Sequence, residues 1–163
     1  MNGEQTNDFK FFFASRRGDL DFVAIVPDRD LATPAARQVL PETITRADAV
    51  FNLGRMGLLL AGLADPGHLF AASTDDRIHQ PARTALFPEA PQLLRGLVEA
   101  GALAASWSGA GPTLIGMVRS GSVDAVRAGA EVALAASGVP GRVLALRADR
   151  RGIAYGDDAE VLL

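Results

Sequence analysis

The stretch Ser108-Gly109-Ala110-Gly111-Pro112-Thr113 constrains the fold of this chain more than any other. A small, apolar run over 102–107 precedes it, and a β-prone run over 113–118 follows it. Two short apolar runs around a glycine-rich break predict strand, tight loop, strand. Gly109 and Gly111 are free to take positive φ and to admit a close backbone or a phosphate. Pro112 fixes its own φ and has no N–H to donate. The amides of Gly109, Ala110 and Gly111 are therefore expected to converge into a small anion-facing nest, with an ordinary hairpin turn as the plain alternative. Two better-known phosphate loops are excluded. Leu114 stands where a dinucleotide fingerprint needs its third glycine, and no Gly-Lys-Ser/Thr follows.

A chain of 163 residues suits one domain, or one half of a two-domain enzyme. The net charge of −3, from 16 basic and 19 acidic residues, offers no basic field to nucleic acid or to an anionic membrane. With no cysteine there are no disulfides, thiolate metal ligands or cysteine nucleophile. No apolar run is expected to reach transmembrane length. The polar, acidic start over 1–8 is unlike a secretory signal, which leaves the cytoplasm as the default location.

Along the chain, 1–19 reads as a lead-in with an apolar, extended run over 9–14, an edge strand or a contact surface. Residues 20–163 read as one domain. A buried strand over 21–27 ends at Pro27. Thr33-Pro34 predicts a helix over 34–40 with Thr33 as its N-cap. Thr45 caps the longest helix, with Asp48 as the acidic partner in its capping box. Ala47, Val50, Phe51, Gly54, Leu58 and Ala61 follow helical spacing and predict its core stripe. Asp65-Pro66 opens a further helix to about 76, and another runs over 90–100 with Gly101 as its cap. Ser122 is expected to cap a helix over 123–137 that Gly138 ends, and 142–147 is a final strand. Residues 151–163 read as a short strand or tail. Strands and helices do not alternate regularly, so the fold class is α+β: an antiparallel sheet with helices over one face.

Three kinds of chemistry can be weighed against these residues. Ser108, His79 and several aspartates are present, but the nucleophile-elbow pattern of a hydrolase is missing. His68 and His79 lie eleven apart, and Asp75, Asp76 and His79 gather near a helix end, where solvated polar residues are the simpler reading of a metal set. Arg46 sits in the first turn of the long helix, where a cation opposes the helix dipole, so it is not there for helix stability. Arg83 follows the His79-Gln80-Pro81 break. Both forks suit carboxylates and phosphates, with an exposed ion pair as the plain alternative.

Four segments then meet in one pattern. The run from Thr45 to Arg55, Thr-Arg-Ala-Asp-Ala-Val-Phe-Asn-Leu-Gly-Arg, resembles a helix of the homoserine kinases in the GHMP superfamily. Asp76-Arg77-Ile78-His79-Gln80-Pro81-Ala82-Arg83 is similar to that family's Asp-Arg-Leu/Ile-His segment. Val26-Pro27-Asp28, with Thr33 and Ala36-Arg37 beyond, fits the strand and short helix ahead of them. Ser108 to Thr113 resembles the third GHMP motif.

The resemblance covers about 20–150 and implies a ferredoxin-like C-terminal domain. It implies ATP-dependent phosphorylation of the L-homoserine side-chain hydroxyl, on the route to threonine. By position, Arg46 and Arg83 are the candidates for the homoserine carboxylate. Ser108, Gly109, Ala110, Gly111, Pro112 and Thr113 would support the phosphate-binding loop, with Gly111 serving close approach there. His79 would orient the segment carrying Arg83 rather than act as a base. The ATP-binding glycine-serine loop and the Mg²⁺-binding acid of the N-terminal domain have no counterpart in this chain. ATP and Mg²⁺ are thus expected to belong to the complete enzyme, with neither held tightly by this chain and no catalytic residue or metal ligand within it. The chain reads as a fragment or split product whose N-terminal GHMP domain lies on the same or a separate polypeptide. The alternatives are a non-catalytic association module that dimerises through exposed apolar surface, and the C-terminal half of another GHMP kinase. Nucleic acid and membrane are not expected partners.

Overall fold

Three of the four strands carry mostly buried side chains on both faces, as strands covered on both sides require, whereas 141–147 is mostly exposed. A computed structural model of the chain describes residues 19–148. Its elements are β1 (Leu20–Pro27), α1 (Thr33–Gln38), α2 (Arg46–Ala64), α3 (Gln80–Arg83), α4 (Ala90–Glu99), β2 (Ala104–Trp107), β3 (Leu114–Arg119), α5 (Val123–Ser137) and β4 (Gly141–Arg147). The four strands form one antiparallel sheet in the order β2-β3-β1-β4. That order, with α4 before β2 and α5 before β4, is the ferredoxin-like βαββαβ arrangement. The first connection is enlarged by α1, α2 and α3. The expected run over 9–14 and the 151–163 tail lie outside the described residues.

One face of the sheet carries the main core. Val23, Ile25, Leu114 and Val118 meet Leu93 and Leu97 of α4 and Val126, Ala130 and Leu134 of α5. These helical positions recur every three or four residues, so each helix offers one apolar stripe. The two helices cross closely because Gly96 lies against Ala133 and Gly129 against Ala100. A Cβ on either glycine would come within 2.6 Å of its neighbour. A smaller cluster fills part of the opposite face: Leu20, Ala104 and Met117 of the sheet with Leu69, packed by Leu59 and Leu63 of α2.

Several local expectations need correction. Ala47, Val50, Gly54 and Ala61 of the expected α2 stripe are exposed, Phe51 and Leu58 are half-buried, and Gly62 is the buried residue of the helix. The inward face is instead the row of Asn52, Arg55, Leu59 and Leu63. Apolar residues run almost round this helix, so spacing alone does not choose a face. Almost none of α2 is buried, and by length and composition it is long and apolar enough to cross a membrane, contrary to the expectation that no run reaches that length. The same test is passed by helices of soluble proteins. The helix expected after Asp65-Pro66 is two short 3₁₀ turns, Pro66–His68 and Ala71–Thr74. Thr33 lies inside α1, capped by Ala32, and Ser122 makes no side-chain cap, because it closes a 3₁₀ turn. Thr45 caps α2 as expected, its hydroxyl oxygen accepting from the Asp48 amide at 3.0 Å. Gly138 ends α5 with φ 70°.

Candidate functional site

The site grows from the free edge of β2. Strand β2 pairs with β3 on one side only, and an uncovered edge is a liability that folds protect. The segment 74–80 does so here. The Thr74 hydroxyl, in a buried residue, donates to the Ala105 carbonyl at 2.7 Å, and Gln80 Nε2 donates back to the Thr74 carbonyl at 2.8 Å. A cleft opens on each side of this segment. One, of about 520 Å³, lies under α2 and reaches Asn52, Asp76, His79 and Ser106. The other, of about 450 Å³, lies beside α4 and reaches Gln80, Arg95 and Trp107.

Asp76 is the hub of the segment. Its carboxylate accepts from the Asn52 side-chain amide at 2.6 Å and from the backbone amides of Ile78 at 2.7 Å, His79 at 2.9 Å and Gln80 at 2.7 Å. Its side chain is 12% exposed, with His79 Nδ1 3.5 Å away. Burial pushes the carboxyl pKa up, but the bonds from Asn52 and the three amides outweigh it and hold the group below its ordinary value. Around the hub, α2 and the segment interlock through charge. Arg77 and Arg55 stack on the Phe51 ring at 3.8 and 4.6 Å from its centroid. Asp48 lies 3.8 Å from Arg77, and Asp75 3.9 Å from Arg55.

The hub sets the start of α3, and Arg83 ends that helix. Arg83 Nη1 donates to the Gly109 carbonyl at 2.8 Å. Its Nε is buried and has no partner among the described residues. Burial lowers the guanidinium pKa, and the Asp76 charge opposes that. The side chain remains a cation, because its ordinary value is far above neutrality.

The loop after β2 is a hairpin turn closed by Ser108 N–H donating to the Thr113 carbonyl at 2.9 Å. Gly109 and Gly111 have φ 61° and 88°, and the Gly111–Pro112 peptide is cis. The expected three-amide nest is reduced, because Gly111 N–H donates to the Ser108 carbonyl at 3.1 Å. Gly109 is exposed and Ala110 half-buried. A Cβ on Gly111 would lie 2.5 Å from the Trp107 ring, so its close neighbour is this tryptophan. Trp107 in turn packs edge-on against Phe87, ring centroids 5.9 Å apart. The loop therefore stands on a rigid aromatic base.

The structure thus joins Arg83 to Ser108–Thr113. Arg46 is exposed at the first residue of α2, and no described hydrogen bond or ion pair joins it to Arg83 or the loop. Asp76 and Asn52 were not among the expected site residues. The signal for Asp76 is an aspartate two to four residues ahead of unpaired amides at a helix start. The signal for Asn52 is an amide in the middle of a helix where a good helix former would serve better. Among the described residues no group of three or more His, Asp or Glu is placed to hold a metal ion.

The sheet order is that of a ferredoxin-like domain, with the glycine loop on its edge hairpin and Arg83 bonded to that loop. Residues 56–132 match the family model described as GHMP kinases C terminal. The fold described here is thus that of a GHMP kinase C-terminal domain. The chain is 40% identical over 136 residues to homoserine kinase of Trichormus variabilis, covering 83% of this chain and 45% of that protein. It is 47% identical over 98 residues to homoserine kinase of Synechococcus, covering 58% of this chain and 32% of that protein. The crystal structure of homoserine kinase from Cytophaga hutchinsonii matches with a TM-score of 0.72 at 26% identity, over 82% of this chain and 43% of that one. The chain thus spans less than half the length of these relatives.

Proposed function

We propose that this chain forms the C-terminal part of a homoserine kinase, in which it holds the amino-acid substrate while an N-terminal GHMP domain holds ATP and Mg²⁺. In the complete enzyme the γ-phosphoryl group passes from ATP to the side-chain oxygen of L-homoserine, whose hydroxyl proton is lost, giving O-phosphohomoserine and ADP. Positioning carries most of such a transfer. Here that work falls to Arg83, whose Nη1 is fixed on the Gly109 carbonyl beside the glycine loop and whose guanidinium is the fork that a carboxylate suits. This arginine is the observation on which the reading rests. Arg46, exposed at the start of α2, is a second candidate for the same carboxylate.

The reading is tested by calorimetric titration of the purified chain with L-homoserine and, separately, with ATP·Mg²⁺. Absence of ATP binding is expected, and clear ATP binding would overturn the division of labour between the halves. A second reading, an association module, draws on the exposed Val50 and Leu53 of α2, at 63% and 72% exposure. It predicts a dimer by sedimentation with no phosphoryl transfer when the N-terminal half is supplied.

A further inference from the structure

Arg83 cannot place itself. It ends a four-residue helix, and one turn of helix has no stability of its own in water. No side chain of α3 caps its start, since the N-cap residue, His79, makes no such bond. What holds the turn is Asp76, which receives the amides of Ile78, His79 and Gln80 together. Among the described residues, the side chain that hydrogen-bonds Asp76 is Asn52, through Nδ2 at 2.6 Å. The other end of the same amide, Asn52 Oδ1, accepts from the Arg77 amide at 3.0 Å. One asparagine on α2 therefore grips the segment twice, at the carboxylate and at the next backbone amide.

We propose that Asn52 and Asp76 form a clasp that positions the Arg83 guanidinium, and through its bond to Gly109 the glycine loop, for the carboxylate of the substrate. The proposal rests on the reading of Arg83 as the carboxylate-binding residue, but the clasp itself is defined by contacts that stand without it. The chain of contact runs from α2 through Asn52, Asp76, the start of α3 and Arg83 to the Gly109 carbonyl. Each link is a hydrogen bond or one turn of helix. Asn52 and Asp76 are positioning residues: neither need touch the substrate. The geometry also gives the inward face of α2 a purpose that its apolar residues do not explain. That face carries an amide at 52 because a bidentate donor–acceptor is needed there. Aspartate at this position would set two carboxylates against each other, and leucine would leave the Arg77 amide without its acceptor.

The test uses the whole chain labelled with ¹⁵N. An arginine anchored through Nη1 rotates slowly about Nε–Cζ and gives resolved guanidinium signals. The variants are Asn52→Ala, Asn52→Asp, and the exchanged pair Asn52→Asp with Asp76→Asn, which restores one amide–carboxylate bond. Circular dichroism checks that each is folded. Asn52→Ala and Asn52→Asp are expected to average the Arg83 Nη signals and shift the Gly109 and Ala110 amides, and the exchanged pair to recover part of both. L-Homoserine titration is expected to weaken about ten- to hundredfold in the single variants, the loss that a misplaced binding group brings. Folded variants that keep the wild-type Arg83 and Gly109 signals would overturn the clasp, whatever the titration gives. Displaced signals in Asn52→Ala with homoserine binding unchanged in Arg83→Ala would leave the clasp standing and remove the carboxylate reading instead. If the wild-type chain alone binds no homoserine, the guanidinium and amide signals decide the clasp.

Discussion

Arg83 answers two demands with one planar group. Nη1 donates to the Gly109 carbonyl, and Nε is buried without a hydrogen-bond partner among the described residues. A lysine would bring a single point of charge to the same place and lose the fork. In a kinase assembled from this chain and an N-terminal half, Arg83→Ala is expected to raise the KM for L-homoserine at least about tenfold while the KM for ATP stays within about twofold, the pattern of a lost substrate contact. An unchanged homoserine KM would take Arg83 out of the site. The two loop glycines separate in a way their spacing hides. Gly111 has φ 88° and the Trp107 ring where a Cβ would go, so Gly111→Val is expected to destabilise the fold by about 3 kcal/mol or more. Gly109 has φ 61° but open space around it, so Gly109→Ala is expected to cost only about 1–2 kcal/mol. Urea unfolding of the two variants checks the order, and equal losses would mean that Trp107 does not set the loop.

Among the elements, α2 is the one whose role differs most from what its sequence suggests. Leu53 is 72% exposed, so Leu53→Glu is expected to change the stability of this chain by no more than about 0.5 kcal/mol. Thr45→Ala, which removes the cap on the Asp48 amide, is expected to cost about 1 kcal/mol. Thermal unfolding of the pair reads this inversion, in which a polar hydroxyl matters more than a large apolar side chain. The contrast shows what was legible beforehand. Strands β1, β2, β3 and β4 could be read because their apolar runs are short and bounded by Pro27, Gly109 and Gly138. Helices α4 and α5 could be read because each has one apolar stripe and a glycine beyond its end. The face of α2 could not, because Val50, Leu53, Met56, Leu59 and Leu60 leave no polar side except the few residues that turn inward. The partner of Arg83 could not either. Gly109 lies 26 residues further on, and its role is played by a backbone carbonyl that any residue would supply.

At the scale of the molecule, the stability is unevenly divided. The core between the sheet, α4 and α5 is apolar and close-packed, whereas α2 is joined to the rest by a small cluster at its C-terminal end and by polar contacts along its length. Those contacts centre on a carboxylate, and this gives the attachment a pH dependence of known sign. Burial raises the Asp76 pKa, but the bonds from Asn52 and the amides of Ile78, Gln80 and His79 lower it more, so the folded value lies below the unfolded one. Over that interval the unfolded state binds the proton more tightly. Asp76 therefore stabilises the fold fully above its unfolded pKa of about 4, and the contribution is lost as pH falls through the depressed folded value. The stability lead of the wild type over Asp76→Asn in urea is expected to be constant from neutral pH to about 5 and to shrink below about 4. Trp107 lies in the main core and reports its unfolding by fluorescence, while hydrogen exchange in α2 reports its release. If the clasp is the main tether, α2 amides lose protection in acid before the Trp107 signal changes. Simultaneous loss of both, with a lead over Asp76→Asn that is independent of pH, would instead place the attachment of α2 in the Leu59, Leu63 and Leu69 cluster, and the carboxylate would then be an accessory to packing.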